Sequence, residues 1–215
     1  MNTNKNTTSS KKLLSGYHSR GVLPHYKKAG ATYWVTFHLA DSLPQAVLRK
    51  IEAEREIWVK LKQKEDIRLE EQNRQWNRLY AKRIQSWLDA GIGACWLQQP
   101  EIGKMVAEAL QHFRGQRYDL TAWVVMPNHV HVLVTPYDGW TLSSITHSWK
   151  SYSATQANRM LQRQGEPFWQ VESYDHIVRN TREHQILYDY TINNPVKAGL
   201  CKHPKDWPFS NATAS

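Results

Sequence analysis

Cysteine is almost missing from this chain. Only Cys95 and Cys201 occur, in unrelated contexts and with no CxxC pair. Two such residues build neither a disulfide framework nor a thiolate metal site, so a reducing cytoplasm is the expected setting. Long apolar runs are missing too, and nothing reaches the roughly 20 residues that a membrane-spanning helix needs. The stretch Met1 to Lys12 is polar, and it lacks the apolar centre of a secretory leader. Internal repeats and low-complexity domains are absent. Acid is the scarcer charge: 19 Asp+Glu stand against 28 Lys+Arg, a formal net charge of +9. An excess of that size raises phosphate affinity and speeds encounters with polyanions, which favours nucleic acid as the partner class. A merely soluble basic surface would show the same balance. Tryptophan, by contrast, is plentiful at ten residues, and its ring serves cores and exposed bases alike. With 40% hydrophobic and 22% charged residues, the chain reads as globular rather than disordered.

Residues 1–30 read as a flexible basic arm, carrying Lys11, Lys12, Arg20, Lys27 and Lys28. The alternating, aromatic and β-branched run Ala31 to Leu39 predicts a strand. Pro44 can open a helix at its first turn, and the pattern stays helical to about Ala90. Trp76, Leu79, Tyr80, Ile84, Trp87 and Leu88 form the apolar stripe there, and Lys60 to Arg74 is densely charged. A helix with Ile102, Val106, Leu110 and Phe113 on one face follows. Leu120 to Met126 and His129 to Thr135 then predict two strands, joined as a hairpin by Pro127-Asn128. A helix over Leu142 to Gln162, an irregular strand within Phe168 to Val178, and a last helix over Thr181 to Asn194 complete the order. Pro195 is expected to stop that last helix. The fold class is α+β: an antiparallel sheet with helices on one face, plus a helical insertion at about 44–98 and a tail at 201–215.

The run His129-Val130-His131-Val132-Leu133-Val134 concentrates the chemistry. On a strand, side chains alternate, so the two histidines share one face while the valines line the other. Side by side, the imidazoles can chelate one divalent ion. Two histidines on a half-exposed strand are the plainer alternative. The second feature is Tyr190 with Asn194, four residues apart and so on one helical face. A phenol can attack phosphorus when a metal polarises the phosphate, and Asn194 can add an oxygen ligand. Alternatively Tyr190 packs on the sheet and Asn194 caps the helix.

Taken together, Ala122 to His131, Tyr190 to Leu200, the opening strand Tyr33 to Phe37, Phe168-Trp169-Gln170 with Tyr174, Asp175 and Arg179, and Asp206 to Ser210 resemble the single-tyrosine HUH transposases. More narrowly they resemble the REP-associated tyrosine transposases, over roughly Gly30 to Ser210. The resemblance implies a ferredoxin-like sheet with the HxH on a central strand. It implies that Tyr190 attacks a scissile phosphate in single-stranded DNA, leaving a 5′-phosphotyrosine and a free 3′-hydroxyl. It assigns Mg²⁺ or Mn²⁺ to His129 and His131, with Asn194 as third ligand where mobile relatives tend to carry Gln. Tyr188 and Tyr174 are rival tyrosines. Tyr188 is turned about 200° from Tyr190 on a helix, and Tyr174 sits in the strand-like segment.

Candidate DNA contacts are Lys150, Arg159, Arg163, Arg179, Lys197, Lys202 and the arm, although for each taken singly, Arg179 apart, a solvated charge is the favoured reading. For Arg179 an ion pair with Asp175 is the favoured role. Trp140, Trp149 and Trp169 can stack bases or fill the core. The expected partner is single-stranded or hairpin DNA, with no membrane, and the protein acting as monomer or homodimer in the cytoplasm at the nucleoid. A catalytically silent hairpin-binding protein is the competing function. The tail after Trp207 is expected either over the active site or without fixed structure.

Overall fold

The computed structural model describes residues 16–19, 24–27, 30–62, 83–171 and 173–213. Its centre is a four-stranded antiparallel sheet in the order β4-β5-β3-β6, formed by β3 (Tyr33–His38), β4 (Tyr118–Val125), β5 (His129–Pro136) and β6 (Tyr174–Ile177). With α3 (Pro100–Gln111) and α4 (Leu142–Met160) as the connecting helices, this is a βαββαβ ferredoxin-like unit.

Side-chain alternation divides the sheet. Val130, Val132 and Val134 of β5 and Tyr33, Val35 and Phe37 of β3 point to one side. There they join Ile102, Val106 and Leu110 of α3 and Ile145 and Trp149 of α4 in the main core. In β4 a bulge between Leu120 and Ala122 shifts the register, so Tyr118 and Leu120 before it and Trp123 and Val125 after it all reach that core. A last helix, α5 (Thr181–Lys197), covers the opposite side. Its Leu187, Tyr188, Tyr190 and Ile192 pack on Trp34, Ala122 and Leu133. The βαββαβ helices thus occupy one face, as expected, and α5 packs on the histidine face, where Tyr174 also joins the Trp34 cluster to the small core of Leu43, Ile51, Ile84 and Leu88.

Pro195 does not stop α5. The helix runs through it to Lys197, because a proline in the last turn removes a single hydrogen bond and leaves the rest of the ladder intact. The stop is at Gly199, whose φ of +70° suits a residue without Cβ. The Gly199 N–H donates to the Val196 carbonyl at 3.0 Å and the Leu200 N–H to the Pro195 carbonyl at 2.9 Å, the paired bonds of a Schellman cap.

The predicted helical stretch after Pro44 contains α1 (Gln45–Lys62) and α2 (residues 83–89). Leu43, Ile51, Ile84 and Leu88 form a small core of their own, and Arg83 pairs with Glu54. Trp76, Leu79 and Tyr80, with most of the charged run at Lys60 to Arg74, lie outside the described residues. In the segment read as a flexible arm, β1 (Gly16–Ser19) pairs antiparallel with β2 (Pro24–Lys27). The tail does not lie over the histidines. Val124 bridges Ser210, the Val125 N–H donates to the Phe209 carbonyl at 2.8 Å, and Asn211 brackets Trp123 and Thr121, so the tail pairs along the outer edge of β4. An open strand edge presents unpaired backbone groups, and this segment satisfies them. No described helix is long and apolar enough to cross a membrane.

Candidate active site

His129 and His131 stand on the α5 face of β5, with ring centroids 4.7 Å apart. Their cross-strand partners on β3 are His38 and Thr36. His129 Nδ1 lies 2.7 Å from Asn128 Oδ1, and the Asn128 amide nitrogen donates to the Ile92 carbonyl at 3.0 Å. That leaves the Asn128 oxygen to accept, so His129 Nδ1 carries the proton and Nε2 keeps its lone pair. His131 Nδ1 lies 2.7 Å from Thr36 Oγ1, and the ring stacks on Trp34 at 4.9 Å with a 17° tilt. Both imidazoles are therefore held through one nitrogen with the other turned inward, the arrangement by which outer groups orient metal-binding histidines.

The α5 helix brings the tyrosine. Trp34 Nε1 donates to Thr191 Oγ1 at 3.1 Å, which pins α5 to the sheet. Tyr190 then meets His131 at 5.6 Å and Trp34 at 5.6 Å between ring centroids. Asn194, one turn on, is 2% exposed. Among the described residues, four buried side-chain polar atoms lack a hydrogen-bond partner: His129 Nε2, His131 Nε2, Tyr190 Oη and Asn158 Oδ1. Leaving such an atom unpaired costs about 1–3 kcal/mol. Three of the four lie in this one cluster, where an arriving ligand atom would satisfy them.

Burial also sets the protonation states. It lowers the His131 pKa to about 3 and takes His129 well below its ordinary value, with the charges of His131 and His38 acting in the same direction. Both rings are neutral donors at ordinary pH. Burial likewise lowers His38 to about 4. The Leu39 carbonyl opposes that shift, and the Lys150 charge adds to it. His38 binds Ser42 Oγ through Nδ1 at 2.6 Å. Among the described residues, no group of three or more His, Cys, Asp or Glu is arranged to hold a metal ion, and the uncharged oxygen donors near the histidines include a side-chain carboxamide. Asn194 is the one beside the tyrosine. Burial raises the Tyr190 phenol well above its ordinary value and Asp89 of α2 raises it further, while Asn194 pulls it down.

The remaining candidates separate clearly. Lys197 is exposed, yet its Nζ sits 4.5 Å above the Tyr190 ring. Lys150 is engaged elsewhere, donating to the Gln170 and Val171 carbonyls at 2.7 and 2.8 Å. Arg159 is exposed near the end of α4, and Arg163 lies 5.4 Å over the Trp96 ring. Arg179 is exposed, with its backbone N–H donating to Glu183 Oε2 at 2.7 Å. Lys202 is exposed beyond α5. Tyr174 stands edge-on to Trp34 at 6.0 Å, and no described ring contact joins Tyr188 to either histidine. Trp149 and Trp169 are core residues, their indole N–H groups held by Tyr118 and Ser153, whereas Trp140 is 36% exposed.

Sequence reasoning missed Trp34, Asn128 and His38. The Pro127-Asn128 turn was visible, but not that Asn128 would orient His129. The insertion supports that turn: the Leu97 N–H donates to the Pro127 carbonyl at 3.1 Å, and Ile92 receives the Asn128 amide. Gly93 lets the insertion lie close against Asp41, since a Cβ there would lie 2.8 Å from the Asp41 carbonyl oxygen.

Residues 97–194 match the model of the family described as Transposase IS200 like, a segment that contains His129, His131, Tyr190 and Asn194. The REP-associated tyrosine transposase of Escherichia coli (strain K12) is 33% identical over 98 residues, which are 45% of this chain and 56% of that protein. The chain thus spans little more than half the length of that relative. Among solved structures, the REP-associated tyrosine transposase bound to a REP hairpin aligns over 88% of this chain and 81% of that one. Its TM-score is 0.50 at 21% identity, a likeness of fold. The resemblance to REP-associated tyrosine transposases seen in the motifs therefore holds.

Proposed function

We propose, on the premise that residues 97–194 are a segment of the IS200 transposase type, that this protein is a metal-dependent endonuclease and strand-transferase of single-stranded DNA at palindromic hairpins. The observation that carries the reading is the convergence of three buried, unpartnered atoms, His129 Nε2, His131 Nε2 and Tyr190 Oη. Hairpin DNA as substrate is supported by the net charge of +9 and by the relative of like fold that was solved with a REP hairpin.

The two Nε2 atoms and the Asn194 carboxamide oxygen would hold a divalent ion through two imidazole nitrogens and one neutral oxygen; imidazole suits a first-row transition ion, and Mg²⁺ or Mn²⁺ is the choice the family resemblance implies. Such an ion supplies Lewis-acid polarisation of a phosphate. The rest is done by the chain. Asn128 and Thr36 hold the imidazoles in place. Trp34 and Thr191 fix α5 so that the Tyr190 ring stands 5.6 Å from the His131 ring. Tyr190 Oη attacks phosphorus: the O–P bond forms, the bond to the 3′-oxygen breaks, the phenolic proton passes to solvent water, and a proton from solvent water reaches the 3′-oxygen. The 5′-phosphotyrosine conserves the energy of the cut bond, so rejoining needs no nucleotide. Arg159, Arg163, Arg179 and Lys197 remain candidates for DNA contact, and Lys150 is assigned to bracing its loop.

The test incubates labelled single-stranded hairpin DNA with the protein in Mn²⁺ or in EDTA, comparing wild type with Tyr190→Phe. The expected result is a covalent protein–DNA adduct that requires metal and disappears in the variant. Adducts that persist in Tyr190→Phe would move the nucleophile to Tyr188 or Tyr174. Tight hairpin binding with no cutting under any metal would leave a binding protein without chemistry.

A further inference from the structure

We infer that Lys197 is a catalytic residue, the cation that meets the scissile phosphate as Tyr190 attacks it. The inference rests on the tyrosine-nucleophile reading above. Tyr190, Asn194 and Lys197 follow one another by four and three residues, so they form one stripe along α5. Asn194 lies buried in that stripe, and Lys197 closes it at the exposed end, with Nζ 4.5 Å from the Tyr190 ring centre. Among the described residues, no hydrogen bond or ion pair engages that ammonium, in contrast to Lys150 with its two carbonyl partners. Of the cations singled out in the sequence, only Lys197 has a described contact with the tyrosine.

The position suits the chemistry. During attack the phosphate oxygens carry charge that is not yet shared with a leaving group, and a fixed cation beside them stabilises that state more than the ground state. A lysine on a four-carbon stem can swing from the ring face to a phosphate oxygen at Oη. The nearby acidic group is Asp89 at the end of α2, whose carboxylate lies in the field of Lys197. An acid of the insertion thus lies in the field of this cation, and an incoming phosphate would compete with it.

The plainer role for Lys197 is to complement the negative end of the α5 dipole. It predicts a small change in stability and none in cutting. The experiment compares wild type, Lys197→Ala and Lys197→Arg on the hairpin substrate, reading adduct formation at saturating DNA, hairpin affinity and thermal unfolding. The expected result for Lys197→Ala is about 100-fold slower adduct formation, with affinity changed by less than about threefold, since one phosphate contact among several is lost. Lys197→Arg should recover to within about tenfold of wild type, because the charge is kept and only its geometry changes. Should Lys197→Ala prove unstable, the arginine variant against wild type keeps the test decisive through its ratio of rate to affinity. Equal losses of affinity and rate would overturn the proposal in favour of a simple DNA contact. Unchanged cutting would overturn it in favour of the helix-end role. A wild type that forms no adduct sinks the tyrosine reading and Lys197 with it, whereas normal adducts from Lys197→Ala sink only Lys197.

Discussion

The two faces of the central sheet share one backbone and do opposite things. On one, Val130, Val132 and Val134 meet α3 and α4 in a continuous apolar core. On the other, His131 meets Trp34, Tyr190 and His129 under α5, with Asn194 buried on that helix and three polar atoms unpartnered. The difference shows how a site of this kind is sustained. Burial on the valine face contributes about 25 cal/mol per Å² of apolar surface. That contribution offsets the cost of about 1–3 kcal/mol for each unsatisfied buried group on the histidine face. Alternation along β5 puts both terms on one strand.

The sharpest way to break this comparison is to change each face alone. Tyr190→Phe on the histidine face should reduce adduct formation at least about 10³-fold, with unfolding free energy held or slightly raised, because it removes an unpartnered hydroxyl. Denaturant unfolding and the adduct assay on one preparation check both halves, and a large loss of stability would contradict the account of Tyr190 Oη. Phe37→Ala on the valine face should do the reverse: about 3–5 kcal/mol lost in urea unfolding, with adduct formation per folded molecule little changed. Phe37 is fully buried between Trp149 and Trp169, and its removal leaves a cavity.

Asn128→Ala should weaken Mn²⁺ binding about 10- to 100-fold by calorimetry, since His129 loses the group that fixes its tautomer. Unchanged Mn²⁺ affinity would show that the backbone alone orients the ring. The smallest effect concerns how α5 is held at its start. Glu183 lies 2.8 Å from His176 Nε2 and accepts the Arg179 N–H. Burial raises its carboxyl, but these hydrogen bonds and the charges of His176 and Arg179 outweigh burial and leave the pKa lowered. The folded state then binds fewer protons than the unfolded one as pH falls through the carboxyl's range. The stabilisation is therefore present above the unfolded pKa, near 4.3, and is lost below it. Glu183→Gln should lower stability by about 1 kcal/mol at pH 7 and flatten that acid loss, as measured by thermal unfolding between pH 3 and 7. Equal acid sensitivity in both proteins would remove Glu183 from the account.

The site was legible where its geometry is local. The two-residue spacing of His129 and His131 fixes their shared face, the four-residue spacing of Tyr190 and Asn194 fixes theirs, and Pro127-Asn128 announces the turn between β4 and β5. Errors arose where a local rule met a cooperative structure. Pro195 was read as a stop, but the Schellman cap at Gly199 determines where α5 ends. For Lys150, offered as a candidate DNA contact or a solvated charge, nothing in the sequence pointed to its carbonyl partners, which come from a loop 20 residues away. The tail after Trp207 was left between two placements, and neither was pairing with the edge of β4.

What the sequence determined by itself is the set of reactive groups and the face each takes on its own strand or helix, because side-chain direction follows from the repeat of the backbone. Which faces meet was decided only by the tertiary structure. Trp34 stacks on His131 and holds Thr191, so α5 lies on the histidine side and Tyr190 arrives beside the imidazoles. Asn128, braced from Ile92 in the insertion, turns His129 inward. These contacts join residues up to 157 positions apart. No local periodicity carries them, since they depend on which buried surfaces complement one another once the sheet has formed.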